Sequence, residues 1–155
     1  MGVGRRKWAV NPLLRAAPAR HTGRMEVEAL SHEADVRVLV VDDQEPYRRA
    51  MQAVVDATNG FTVVGTVATG EDSVEVARDL RPQLVLMDVN LPGIDGVEAS
   101  RRILAEGNGT VVVLLSTYDR DDVDLAGSGA SDYVPKGAFG PDRLIEAWAS
   151  AHRDD

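Results

Sequence analysis

The chain contains no cysteine. A disulfide scaffold, a thiol nucleophile and a zinc–thiolate centre are thereby excluded, and a reducing, cytoplasmic setting is expected. Histidine is scarce: His21, His32 and His152 all lie near the ends, which argues against a histidine-based active site. No apolar run reaches the ~18 residues that a membrane-spanning helix requires, so no membrane association is expected. What remains is 155 residues with 44% hydrophobic and 27% charged side chains. That is enough for one domain with a sizeable core and too little for two ordinary ones.

The net charge of −8 is unevenly spread. Residues 1–24 carry Arg5, Arg6, Lys7, Arg15, Arg20 and Arg24 and no acid, whereas the rest carries 11 basic and 25 acidic side chains. So acidic a body is a poor surface for nucleic acid, and no direct DNA binding is expected; its acids suit a hard cation instead. Residues 1–35 have no sustained apolar period and read as a disordered basic tail. A basic arm for nucleic acid or anionic lipid, or an upstream start in place of Met25, are the other readings of that segment. A secretory signal is excluded, because no apolar stretch follows the basic residues.

From Val36 the pattern changes. VRVLVV is a short, β-branched apolar run of the kind a buried parallel strand uses. A helix is predicted from Pro46 to Thr58, with Tyr47, Met51, Val54 and Val55 facing inward and Asn59-Gly60 stopping it. FTVVGTV is a second strand, followed by a helix over Gly70–Leu80 that ends before Pro82. QLVLMD is a third strand, and a helix follows from about Val97 to Glu106. TVVVLLS is a fourth strand; the segment TYDRDDVDLAGSG holds at most a short helix. SDYVPK is a fifth strand, and GPDRLIEAWASAH a final helix whose Leu144, Ile145 and Trp148 read as core or dimer contacts. Five β-α units imply parallel strands with helices on both faces: an α/β, doubly wound, five-stranded sheet of flavodoxin-like order 2-1-3-4-5.

Ligands of such sheets bind beyond the carboxyl ends of the strands. Those ends carry Asp42 and Asp43, Asp88, Ser116 and Lys136. Taken singly, each has a structural explanation: an acidic pair can cap a helix, a serine can make a turn, a lysine can be solvated. Taken together, three converging carboxylates would raise one another's pKa values unless a cation neutralised them. Magnesium, with its preference for carboxylate and phosphate oxygens, fits, and Lys136 and Ser116 would then address a phosphoryl group.

VLVVDDQEPYR, LVLMDVNLPGIDGVEASRRI, VVVLLSTYD and GASDYVPK closely resemble the receiver domain of two-component response regulators. The resemblance runs from about Val36 to His152 and implies a receiver domain over 36–152, with 153–155 beyond it. It implies that Asp88 is the phosphoacceptor and that Asp42, Asp43, Asp88 and the main-chain carbonyl of Asn90 hold Mg2+. Ser116 takes the place of the family's switch hydroxyl, Tyr133 that of its switch aromatic, and Lys136 that of its lysine. It further implies a sensor histidine kinase or phosphotransfer protein as donor, a downstream protein partner, and possible homodimers. No enzymatic activity beyond the domain's own phosphorylation and dephosphorylation is implied.

Two departures stand out. Ser116 and Lys136 are 20 positions apart, shorter than the resemblance leads one to expect, and the shortfall falls where a fourth helix belongs. Receivers of this kind usually continue into a helix-turn-helix output domain, whereas this sequence ends at Asp155, so a stand-alone receiver is the expectation. A phosphate-independent pseudo-receiver is the alternative; the intact acidic residues, Ser116 and Lys136 argue against it. A haloacid-dehalogenase-type phosphatase would want an aspartate where Asn90 stands, and TGEDS after the second strand is not a dinucleotide-binding glycine motif.

Overall fold

The computed structural model describes residues 35–117 and 125–152. The basic tail read over 1–35 therefore lies, but for Asp35, outside the described residues, as do most of the aspartates after Ser116. Five parallel strands form one sheet in the order β2-β1-β3-β4-β5. They are β1 (Val36–Val41), β2 (Phe61–Val67), β3 (Leu84–Asp88), β4 (Val111–Ser116) and β5 (Asp132–Pro135). The helices between and after them are α1 (Glu45–Asp56), α2 (Gly70–Leu80), α3 (Gly96–Ala105), the four-residue α4 (Leu125–Ser128) and α5 (Pro141–Ala151). The expected α/β order thus holds, with element ends shifted by one or two residues.

The local reasons are legible. Pro46 fixes the first turn of α1, where a missing N–H costs nothing. The Thr69 hydroxyl accepts the Asp72 N–H at 3.0 Å and caps α2, and the Asp95 carboxylate accepts the Glu98 N–H at 2.9 Å and caps α3. Beyond α2, Arg81 takes a left-handed conformation (φ 50°), and the Arg37 guanidinium donates to the carbonyls of Leu80 and Arg81 at 2.7 and 2.8 Å. These bonds satisfy the helix's orphan acceptors and tie it to the start of β1.

Side chains alternate across the sheet, so the core has two halves. Val38, Val40, Leu84, Leu86 and Leu115 face α1 and α5, where Met51, Val55, Leu144 and Ala147 close the first half. Leu39, Val41, Val85, Met87 and Leu114 face α2 and α3, meeting Val76, Ala77, Ala99 and Ile103. Each fully buried leucine or valine contributes on the order of 1.5–3 kcal/mol. Of the three apolar residues read on the last helix, Leu144 is core, Trp148 is half-buried edge-on to Phe61, and Ile145 is left exposed. Among the described residues no helix is long and apolar enough to cross a membrane.

Candidate functional site

Every strand runs the same way, so the C-terminal residues of β1, β3, β4 and β5 open onto one edge of the sheet. Asp42 is the first residue past β1. Its N–H still bonds to the Val67 carbonyl at 3.1 Å, which keeps it in the sheet and buries it completely. Its Oδ1 accepts the Gln44 N–H at 2.9 Å, and its carbonyl accepts from Arg48 Nη1 at 2.8 Å. Both bonds turn the chain into α1 and fix the carboxylate's direction. Oδ2 accepts no regular hydrogen bond and faces Lys136 Nζ at 2.6 Å.

Asp88 ends β3 and is 3% exposed. Its Oδ1 accepts the Asn90 N–H at 3.3 Å and lies 3.4 Å from Lys136 Nζ. The chain then bends sharply: Val89 N–H bonds to Leu115 O, and Gly96 N–H bonds to Val89 O, each at 2.9 Å. This bend requires glycine at position 96, because a Cβ there would lie 2.1 Å from the Asp88 carbonyl oxygen. Glu71, in the first turn of α2, holds the far side of the loop by accepting the Ile94 N–H at 3.1 Å. That bond draws the Glu71 carboxyl below its ordinary pKa.

Oxygens of Asp42, Asp43 and Asp88 all lie within 4.8 Å of one another. Against these three carboxylates stands one ammonium, Lys136, whose side chain is 7% exposed. Burial, and then the charge of Asp42, push the Asp88 carboxyl up to about 6, against the opposing pull of Lys136 and the Asn90 N–H. Excess negative charge on oxygen ligands, with one buried oxygen held by the ammonium alone, is a donor set for a hard divalent cation. Beside it lies a cleft of about 250 Å3 lined by Gln44, Tyr47, Asp88, Asn90, Thr117 and Lys136.

The structure thus brings Asp42, Asp43, Asp88, Asn90 and Lys136 together. Ser116 stands one residue behind Thr117, fully buried at the end of β4. Tyr133 is buried on β5 beside Leu114, within the half of the core that faces α3. It belongs to the body of that strand, not to its end. The Lys136–Gly137 peptide is trans, as expected without proline. One expectation is corrected: Tyr47 does not face the core. It is 37% exposed, with Lys136 Nζ 4.0 Å from its ring centroid. It lies in the first turn of α1, beside the site and before the helix reaches the sheet, so its helical spacing with Met51 misleads. Its nearness in sequence to the acidic pair was the available signal. Nothing in the local pattern pointed to Glu71, whose partner is 23 residues away.

Residues 38–149 match the model of the response regulator receiver domain. The response regulator GacA of Pseudomonas aeruginosa is 38% identical over 114 residues, which cover 72% of this chain and 53% of that protein. A protein-glutamate methylesterase/protein-glutamine glutaminase of Nocardioides is 42% identical over 107 residues, 66% of this chain and 29% of that protein. The chain therefore spans between about a quarter and just over half the length of these curated relatives. Among solved structures, the receiver domain of the response regulator NarL from Mycobacterium tuberculosis superposes with a TM-score of 0.70 at 23% identity, covering 78% of this chain and 98% of that one. The response regulator domain of Thermotoga maritima CheB superposes with a TM-score of 0.66 at 27% identity, covering 76% and 96%. With its strand order, its acidic cluster at the strand ends and the matched stretch in agreement, the chain belongs to the response regulator receiver domain family of two-component systems.

Proposed function

We propose that this domain accepts a phosphoryl group on Asp88 from a phosphohistidine of a sensor kinase or phosphotransfer protein, and passes the signal on by protein–protein contact. The observation that carries this reading is the Asp42–Lys136–Asp88 arrangement, in which one ammonium lies 2.6 Å and 3.4 Å from two buried carboxylates. Asp42, Asp43, Asp88 and the Asn90 carbonyl would hold Mg2+. When bound, the ion supplies charge neutralisation and a template for the transferring oxygens.

The chain's own groups do the rest. An ionised Asp88 oxygen attacks phosphorus in line; the new O–P bond forms as the N–P bond of the donor breaks, and the histidine nitrogen leaves with the electron pair. The Asn90 N–H keeps Asp88 aimed into the cleft. Lys136 swings from the carboxylates to the phosphoryl oxygens, where its charge opposes the build-up of negative charge. Ser116 then donates its hydroxyl to the phosphoryl group, the chain after β4 moves inward, and Tyr133 shifts into the space vacated. Phosphorylation adds about −1.5 to −2 charge at one carboxylate, a local event able to bias a bistable surface. The surface in question is formed by α4, β5 and α5, which would carry the downstream partner or a second copy of the chain. A cytoplasmic location follows from a kinase-linked role.

Incubation with acetyl phosphate and Mg2+ should add one labile phosphoryl by intact mass, absent in Asp88→Asn and after chelation. Phosphorylation of Asp88→Asn would show that another residue is the nucleophile. An unmodified wild-type chain would favour a phosphate-independent binding module.

A further inference from the structure

The Lys136 ammonium has neighbours of two kinds. On one side are carboxylates, Asp42 Oδ2 at 2.6 Å and Asp88 Oδ1 at 3.4 Å. On another is the face of Tyr47, with Nζ 4.0 Å from the ring centroid. The aromatic face carries the negative lobe of a quadrupole and attracts cations, the more so when they are partly removed from water, as this one is. Lys136 is also the single lysine after Lys7; every other basic side chain in the folded body is arginine. A compact ammonium on a flexible stem can change partners in a cleft where a planar guanidinium would lock onto one carboxylate.

Asp42 Oδ2 is at once the closest partner of Nζ and one of the oxygens grouped for a cation. Two positive charges cannot share it without repulsion. Once the oxygen is given up, the ammonium keeps only the longer contact to Asp88, itself a member of the acidic cluster, and needs another seat to stay over the cleft. A further carboxylate in that place would add negative charge and compete with an incoming phosphoryl group. A neutral ring holds the cation without doing either, and Tyr47 lines the cleft beside Asp88.

We propose that Tyr47 is a positioning residue for phosphoryl transfer: its ring face is a second seat for the Lys136 ammonium, keeping Nζ over the cleft next to Asp88 when Asp42 Oδ2 is given up to a divalent cation. This rests on the reading of Asp88 as phosphoacceptor.

The test uses the full chain with 13C-lysine, which gives only two lysine spin systems, Lys7 and Lys136. In the wild type, with and without Mg2+, the Lys136 ε-methylene protons should be shifted upfield by the ring current. Tyr47→Leu should abolish that shift. It should also lower both the rate of labelling by acetyl phosphate and the affinity for beryllofluoride by roughly 2- to 30-fold, the range of a cation–π contact. Its Mg2+ affinity should fall as well, by no more than the same factor, because the ring stabilises the state in which Asp42 Oδ2 is given up. Tyr47→Phe, which keeps the ring and loses only the hydroxyl, should restore the shift, the rate and the affinity. Tyr47 is partly exposed, so the leucine leaves no cavity and the fold should persist.

Normal labelling and beryllofluoride binding in Tyr47→Leu would overturn the proposal. So would loss of the ring-current shift when wild type binds Mg2+, or a Phe variant as impaired as the Leu variant. If the wild type itself takes no phosphoryl, the phosphoacceptor reading fails, while the ring-current shift still decides whether Tyr47 seats the ammonium.

Discussion

Lys136 Nζ lies 2.6 Å from Asp42 Oδ2, and neither side chain is more than 7% exposed. Removing one partner of a buried pair leaves an uncompensated charge, at a cost of about 3–5 kcal/mol. Here the loss is limited, because the neighbouring Asp88 carboxyl, already pushed up to about 6, can take up a proton instead. Lys136→Met should therefore unfold at markedly lower urea concentration than wild type at pH 8 in chelator, by about 3 kcal/mol. The gap should narrow at pH 5. Equal stability of the two proteins at pH 8 would mean that the pair contributes nothing.

The titration of Asp88 gives a second expectation. Its folded pKa, about 6, lies above the ordinary aspartate value of 3.8. The folded state thus holds the proton more tightly than the unfolded chain does. The associated stability is fully present below pH ~3.8 and is lost as the pH rises through about 6. Asp88→Asn, which cannot ionise, should be more stable than wild type at pH 8 by on the order of 1–2 kcal/mol, once screening at the cleft mouth is allowed for. The two should converge below pH 4. Thermal melts in chelator across that range are the measurement, and an Asn variant less stable at pH 8 reverses the sign.

The same proton competes with metal. Wild-type affinity for Mg2+ should fall as the pH drops through about 6, and millimolar Mg2+ should raise the melting temperature at pH 8 but barely at pH 5. Asp43→Ala should lose most of the effect. A melting temperature indifferent to Mg2+ at pH 8 would show that the acidic cluster does not bind it.

Gly96 supplies a steric test at a distance from any charge. A methyl group there would lie 2.1 Å from the Asp88 carbonyl oxygen and 2.9 Å from Val89 Cα, both backbone atoms. Gly96→Ala should cost about 1–3 kcal/mol and, by displacing Asp88, slow phosphorylation more than a surface substitution of equal cost. Gly107→Ala, which faces open space and costs stability only through its φ of +73°, is the surface substitution for that comparison.

The signal should leave through the weakly held part of the fold. α4 has four residues, and Arg101 of α3 donates to its Gly127 carbonyl at 3.1 Å. Hydrogen exchange with beryllofluoride bound should change over residues 116–136 and hardly in α1. Unchanged exchange there, with the mimic bound, would remove α4 and β5 from the switching surface.

The fold was legible because its strands are continuous apolar runs and its turns carry glycine, proline and capping residues. A run such as Leu84–Met87, buried on both faces, suits a central strand of a parallel sheet covered by helices on both sides. The acidic residues and Lys136 were legible because strand ends in this topology meet at one edge. Tyr47 was not, because helical spacing cannot tell a first-turn residue at the site from one over the core. Glu71 was hidden by the long separation from its partner, Ile94. Ser116 and Tyr133 were found as residues, but their burial behind the cleft depends on packing that no local pattern encodes.

The Trp148–Phe61 contact places the end of α5 beside the beginning of β2, while Val36 N–H bonds to Gly60 O at 2.7 Å. The folded body is thus entered and left at the same pole, the one opposite Asp88. Anything fused at either end is therefore attached at the back of the domain, and a fused module can sense Asp88 only by reaching along the flank.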